Sequence, residues 1–322
     1  MRDTVGLIVS LAILLATCLL ATLIGEFWTG VLARCVTWMF LAISFTLAYS
    51  YANIPSVAQA TVFGAGAYAV IWAAPALAGN VVLILLAGMI TGGAVALVFG
   101  LLVLRMSHSG AAIGTIILAV AFSMLGNATI GLTGGTDGLP LASEAFHLLG
   151  IPVAAGPNIG MLLLGAALLA LLLAGFWFAS GKGVWRIVRA VQQNALRAQV
   201  LGYNAIAYRI TIYVISGCIA GLGGGLYALV SRHVAIETIG LSMSLKSILW
   251  AAVGGISSIY GGPIGVLAIQ LASEVLLRWT VRVDLIIGLM LVAVALWLPQ
   301  GVMGSRSRDG KWVTTIKQWR RT

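Results

Sequence analysis

Four long stretches of this chain are almost free of charge: residues 5–24, 81–104, 159–179 and 285–298. A helix needs roughly 20 apolar residues to cross a hydrocarbon core of about 30 Å, and several of these runs have that length. In lipid no water is at hand for the backbone, so each N–H and C=O must be bonded within its own segment. That makes an apolar run a helix. Composition closes the soluble alternative. Hydrophobic residues make up 61% of the chain and charged residues 8%, whereas an ordinary soluble domain is about 25% charged. The expected fold class is all-α, a polytopic membrane helix bundle with short loops.

Glycine, proline and polar breaks divide the chain into about ten transmembrane helices. They fall near 5–25, 32–52, 56–77, 81–104, 109–130, 158–180, 209–231, 243–260, 262–279 and 284–301. A count of eight, with two short segments re-entrant, keeps the same orientation. The first run begins at Arg2 and Asp3, is too long for the core of a signal peptide, and has no small-residue cleavage site before Glu26. It reads as a retained span.

The formal net charge of +10 is not spread like a nucleic-acid-binding face. It gathers at Lys182, Arg186, Arg189, Arg197 and Arg209, and again at Arg306, Arg308, Lys311, Lys317, Arg320 and Arg321. Basic clusters beside spans mark the cytoplasmic side. Both termini, Arg105 and the 181–208 loop then lie inside, while Glu26, Asp137, Glu144 and Glu237 lie outside. Residues 1–304 form the membrane domain and 305–322 a basic cytoplasmic tail.

Chemistry-bearing clusters are sparse. Cys18, Cys35 and Cys218 sit singly in apolar surroundings and read as small apolar residues. His108, His147 and His233 stand alone, without a Cys or carboxylate at ligand spacing, so neither a metal site nor a catalytic set is expected. No Walker-type phosphate loop occurs. If ATP is used, another chain binds it.

The third and eighth spans, 56–77 and 243–260, share a pattern. Both are rich in Gly and Ala, and each follows a polar or Pro-containing stretch, Asn53-Ile54-Pro55-Ser56 and residues 237–245. Each is the third span of a five-span half, so the chain reads as two five-helix inverted repeats. Interrupted segments at matching positions of two halves point to a substrate path. The plainer reading is that these glycines only let helices pack closely.

Three further features carry information. Val184, Ile187, Val188, Val191, Ala195 and Ala198 recur at helical spacing within 183–204, which predicts one amphipathic helix of four or five turns stopped by Gly202. It suits either an interfacial helix facing anionic lipid or a helix docked in a groove of a cytoplasmic partner. The run 131–140, with Thr133, Gly134, Gly135 and Asp137, is a tight glycine-rich turn at the external end of the fifth span. Polar residues inside spans, Asn53, Ser56, Gln59, Thr61, Ser123, Asn127, Ser244 and Lys246, need partners in lipid and are candidates for a route for polar cargo. Ser and Thr can also bond back to their own helix, and Lys246 can snorkel to an interface.

Four segments in order resemble the permease subunits of ABC importers for branched-chain amino acids, the LivM type. Residues 59–68, QATVFGAGAY, are similar to the family's AAFFGIGAY stretch, and 132–139, LTGGTDGL, to its LTGGxDGL loop. Residues 183–204 resemble GRALRAIREDEIAARALGIN. Residues 220–228, Gly254-Gly255-Ile256, 260–265 and Leu298-Pro299-Gln300-Gly301 follow its closing half.

The resemblance implies a multi-pass permease of the bacterial cytoplasmic membrane that forms half of a translocation path. Its partners are a second, homologous permease in a heterodimer, two cytoplasmic ATPase subunits carrying ATP and Mg, an external solute-binding protein and membrane lipid. No cofactor is expected on this chain. The path is expected along Asn53, Ser56, Gln59, Thr61, Gly64, Gly66, Asn127, Gly254 and Gly255. Coupling to the ATPase is expected at Arg189, Gln193, Asn194, Ala195, Arg197, Ala198 and Gly202, and contact with the binding protein at Thr133, Gly134, Gly135 and Asp137.

The sequence departs from the family at Ser50, Asn53 and Ala58, where glycines are usual, and at Gln192, Gln193 and Asn194, where acidic residues are usual. The first departure lies beside the expected path and leaves the cargo open among branched-chain amino acids, urea, short amides and aromatic acids. The competing class is an ion-coupled secondary transporter, which needs an intramembrane carboxylate; Glu274 and Asp284 lie near a span end. A membrane-embedded enzyme lacks any clustered His, Asp or Cys.

Overall fold

The computed structural model describes residues 2–104, 106, 108–141, 146–148, 151–153, 155–277, 288–289 and 301–303. The tenth expected span, 284–301, lies almost wholly outside the described residues, as does the tail 305–322.

Twelve α-helices are found among the described residues. They are α1 (Arg2–Ile24), α2 (Glu26–Thr46), α3 (Gln59–Ala76), α4 (Val81–Val103), α5 (His108–Ala128), α6 (Ile130–Thr133), α7 (Ile159–Ser180), α8 (Gly183–Gln193), α9 (Ala195–Val200), α10 (Ala205–Ser231), α11 (Leu241–Gly254) and α12 (Gly261–Leu276). A π turn, Leu47–Tyr51, prolongs α2. Five helices are long and apolar enough to cross a membrane: Glu26–Tyr51, Val81–Val103, Ser109–Ala128, Ile159–Ser180 and Ala205–Ser231. Shorter apolar helices, Leu241–Gly254 and Gly261–Leu276, stand where the eighth and ninth spans were expected. The architecture is a polytopic membrane bundle.

Asparagine starts four of these helices. Asn80, Asn158, Asn194 and Asn204 each turn a side-chain oxygen onto backbone N–H groups of the first turn of α4, α7, α9 and α10. Those N–H groups have no partner inside the helix, and an Asn cap satisfies one or two of them.

The centre is built by α10 against α3, α4 and α2. Glycines make the approach close: a Cβ on Gly92 would stand 2.5 Å from the Gly217 carbonyl oxygen, and one on Gly221 would stand 2.9 Å from the Cα of Gly92. Such close packing lets dispersion hold helices together where the hydrophobic effect gives no drive. On the far side of α2 lie α1 and α7, while α11 and α12 cover its other flank.

Two short antiparallel ribbons lie at the end of the bundle away from Arg209. β1 (Leu139–Pro140) pairs with β4 (His233–Val234), and β2 (Phe146–Leu148) with β3 (Ile151–Val153). The first ties the loop after α5 to the loop after α10.

Candidate functional site

The first interrupted segment begins where α2 ends at the basic end of the bundle. Ala52 N donates to Leu47 O and Ile54 N to Ala48 O, both at 3.0 Å, and Asn53 takes a left-handed conformation with φ 55°. Asn adopts that conformation more readily than most residues. Arg209 then caps the helix: Nε donates to Ala52 O and Nη2 to Asn53 O, each at 2.8 Å. A cation is favoured there by the partial negative charge of the helix terminus.

From this clamp the chain runs into the bundle. Ser56 Oγ shares a 2.9 Å hydrogen bond with the Tyr213 hydroxyl, and Val57 N donates to Thr115 Oγ1 at 3.0 Å. Helix α3 starts at Gln59, whose Oε1 accepts from Ser44 Oγ at 2.9 Å. Ser44 lies two helical turns before Tyr51, so α3 begins about 10 Å inside the basic end.

The second interrupted segment comes from the opposite end. After β4, a 310 turn at Ile236–Thr238 leads to α11. Its residues reach the first turns of α3. The Thr61 hydroxyl donates to Ile239 O at 3.1 Å, and Ala60 N donates to Ser244 Oγ at 3.3 Å. Gly64 lies directly beneath Ile239, whose backbone N and Cα would stand 3.2 Å from any Cβ placed there. The two segments singled out by sequence thus meet along one seam.

The structure separates the expected path residues into groups. Ser56, Gln59, Thr61 and Gly64 line the seam or its approach, and all are buried. Ser244 and Ser247 of α11 face the same way and are buried too, Ser247 Oγ donating to Ser244 O at 2.7 Å. The amide nitrogen of Gln59 is fully buried and finds no acceptor among the described residues. Asn53 is exposed at the basic end, with its carbonyl held by Arg209. Asn127 is exposed and donates to Ser123 O of its own helix at 3.1 Å. Gly66 abuts Gly221 of α10, Gly254 abuts Gly261 and Gly265 of α12, and Gly255, at φ +112°, faces Gly301. Lys246 lies exposed on α11, two residues beyond Ser244, whose side chain reaches the start of α3.

The glycine-rich loop lies over the C-terminal half of α3. Thr133 O accepts from the Tyr68 hydroxyl at 3.2 Å, and Leu132 O from Trp72 Nε1 at 3.1 Å. Thr133 Oγ1 donates to Gly126 O at 2.6 Å and accepts from Gly135 N at 3.2 Å, which fixes the turn. Gly134 and Gly135 are left-handed, and Asp137 is exposed in a 310 turn beside the Ile236–Thr238 turn.

Residues 183–204 form two helices rather than the single one expected. The break is at Asn194, with φ −158° and ψ 100°, whose side chain caps α9 by accepting from Arg197 N at 3.0 Å. The apolar period continues through the break, which is why periodicity hid it. Gly202 ends α9 at φ +87°: its N–H reaches Gln199 O at 2.9 Å and that of Tyr203 reaches Ala198 O at 3.1 Å. This is the paired C-terminal bonding that glycine at this position allows. Ala198 and Val191 are buried with Ala205, flanked by Ala195, while Trp185 packs on Tyr51 and Phe176 with ring centroids 5.2 and 5.9 Å apart. Arg186, Arg189, Gln193 and Arg197 are exposed. One face is therefore anchored to the bundle; the exposed side is basic along α8 and, around Arg197 of α9, carries the exposed apolar side chains of Leu196, Val200 and Leu201.

Among the described residues no group of three His, Cys, Asp or Glu is placed to hold a metal. Comparison with known proteins gives two relatives over part of the chain. A stretch of 100 residues is 33% identical to the Fructose import permease protein FrcC of Rhizobium meliloti, covering 30% of this chain and 27% of that protein. Another of 103 residues is 34% identical to the Autoinducer 2 import system permease protein LsrC of Klebsiella pneumoniae, covering 32% of this chain and 30% of that protein. The match thus spans under a third of either relative's length. No solved structure matches. A family model described as branched-chain amino acid transport system / permease component matches residues 27–295, most of the chain and both interrupted segments. This chain belongs to that family of membrane permease components.

Proposed function

We propose that this chain forms half of the translocation path of an ATP-driven importer for a small polar solute. The observation that carries the reading is the seam where residues 56–64 meet residues 239–247. Two interrupted segments meeting inside a bundle can part and close as their helices move, with a binding surface between them. The exposed face of α8 and α9, with Arg186, Arg189 and Arg197 beside the exposed Leu196 and Val200, is the docking surface for an ATPase subunit, and its anchored face passes the movement to α2 and α10 as a rigid body. The homologous permease completes the pore, and the external binding protein delivers cargo at the 131–140 loop. The topology that goes with this is about ten crossings with both termini cytoplasmic: the five long helices, α1, α3, α11 and α12 as the shorter ones, and the tenth expected at 284–301.

Import of fructose by one relative and of autoinducer 2 by the other supports inward transport of a small polar solute. An ion-coupled carrier acting alone is less well supported, since no Asp or Glu side chain is buried among the described residues. Reconstitution separates the two. The importer requires ATP hydrolysis by a partner for uptake into proteoliposomes. Uptake driven by an ion gradient with no ATPase present overturns it.

A further inference from the structure

We propose that Ser50 is the positioning residue that carries movement of α8 to the seam, by way of the Ile256 carbonyl at the C-terminal end of α11. The inference rests on the importer reading above and names the route from the ATPase-facing helix to the second interrupted segment.

The route begins at the π turn Leu47–Tyr51 that prolongs α2. Its wider winding shows in the bond from Ala52 N to Leu47 O, and single π turns inside helices recur at functional sites. Two consecutive side chains leave this turn for different parts of the bundle. The Tyr51 ring packs on Trp185 of α8, with centroids 5.2 Å apart. The Ser50 hydroxyl donates to the carbonyl oxygen of Ile256, across 206 residues of sequence. Ile256 lies two residues beyond the end of α11. One residue of the turn is therefore fastened to α8 and its neighbour to the end of α11.

The end of α11 is held by directed bonds. Val302 N donates to Val253 O and Met303 N to Gly254 O, both at 2.9 Å, and Ser50 adds its bond to Ile256 O. A hydrogen bond weakens steeply when its angle is lost, so these contacts resist sliding. Apolar packing also joins α2 to α11, as where Trp38 stacks on Trp250 with ring centroids 5.6 Å apart. Such contact is non-directional and tolerates a shift of one helix along the other.

Helix α11 then acts as a lever. Gly254 and Ser244 stand ten residues apart on it, about 15 Å of helix, and no proline interrupts the stretch. Ser244 accepts from Ala60 N at the seam. A displacement of α8 enters at Tyr51, passes through Ser50 to Ile256 O, and reaches the seam as a displacement of Ser244.

The test uses the complete importer, with both permeases and the ATPases, in proteoliposomes. Ser244→Cys serves as the reporter after Cys18, Cys35 and Cys218 are replaced by serine or alanine. Its rate of labelling by a water-soluble maleimide is measured with and without ATP plus vanadate. A change in that rate on adding nucleotide is expected with Ser50 in place. Ser50→Ala is expected to shrink the change about tenfold, the loss of roughly one hydrogen bond of coupling, while ATP hydrolysis continues. Ser50→Thr, which keeps the hydroxyl, retains the change. Tyr51→Leu reduces it as well, and the double variant with Ser50→Ala loses no more than the more affected single variant, since both residues serve one route. A full nucleotide response in Ser50→Ala overturns the proposal, because a merely structural Ser50 alters thermal stability and leaves that response intact. Additive losses in the double variant also overturn it, assigning the two residues to separate effects. A reporter that ignores nucleotide even with Ser50 and Tyr51 intact overturns the importer reading itself, and the proposal with it.

Discussion

The hydroxyl of Thr61 donates to the carbonyl of Ile239 at 3.1 Å, across 178 residues of sequence. With the Ala60–Ser244 bond beside it, this contact joins the start of α3 to the segment that leads into α11. The functional account hangs on that junction.

Gly64 permits the junction, because any Cβ there would overlap the Ile239 side chain and press on its backbone. Gly64→Val is expected to hold the seam apart, lowering coupled transport about tenfold or more, while the bundle core keeps its packing and loses about 1–3 kcal/mol at most. Uptake rate against membrane level, measured on the same vesicles, checks it. Normal uptake by Gly64→Val contradicts the account.

Gly202 holds the turn between α9 and α10 in a left-handed conformation. Valine in that conformation costs about 1–3 kcal/mol, enough to re-aim α9 without removing α10 from the membrane. Gly202→Val is therefore expected to uncouple the complex: the ATPase continues to turn over while uptake falls. Intact uptake with a normal ratio to ATP consumption assigns the 183–204 segment to lipid instead.

Arg209 binds two successive carbonyls with two different nitrogens. Lysine is a point charge and does not reproduce this fork. Arg209→Lys is expected to lose at least one charge-assisted hydrogen bond, about 1.5–3 kcal/mol, and to loosen the chain between α2 and Gln59. Faster labelling of an Asn53→Cys probe by a water-soluble thiol reagent in the Arg209→Lys background reports the loosening. Equal labelling rates argue against the clamp.

Gly221 faces Gly88 and Gly92 across the α10–α4 contact. Gly221→Leu is expected to separate those helices and to be among the most destabilising changes in the chain, with a cost of about 3 kcal/mol or more. A thermal unfolding curve in detergent checks this, with a Gly175→Leu control, since Gly175 has nothing within 4 Å of a Cβ position.

Some of this arrangement is legible in the sequence. Long uncharged runs mark the helices, and the glycine-rich segments behind polar stretches at matching positions mark both sides of the seam. Local chemistry hid the rest. The Asn194 break lies inside an unbroken apolar period, and only its capping side chain reveals it; an Asn ahead of each of three other helices was the same unread signal. Asn53 reads from sequence only as a polar residue beside a span; that it ends a helix in a left-handed conformation has no signature in its neighbours. Asn127 satisfies itself on its own helix. Contacts such as Tyr68 with Thr133, or β1 with β4, join distant parts of the chain through backbone carbonyls, which carry no residue-type signature.

The most direct measurement is a reversible cross-link across the seam. Ala60→Cys and Ser244→Cys are introduced together after Cys18, Cys35 and Cys218 are replaced by serine or alanine, and the pair is joined by a short thiol-cleavable cross-linker. The account predicts that the link forms in the resting protein, that it abolishes ATP-driven uptake, and that cleaving it restores uptake. A cross-linked protein that transports at the uncross-linked rate contradicts the claim that these two segments part to let solute through.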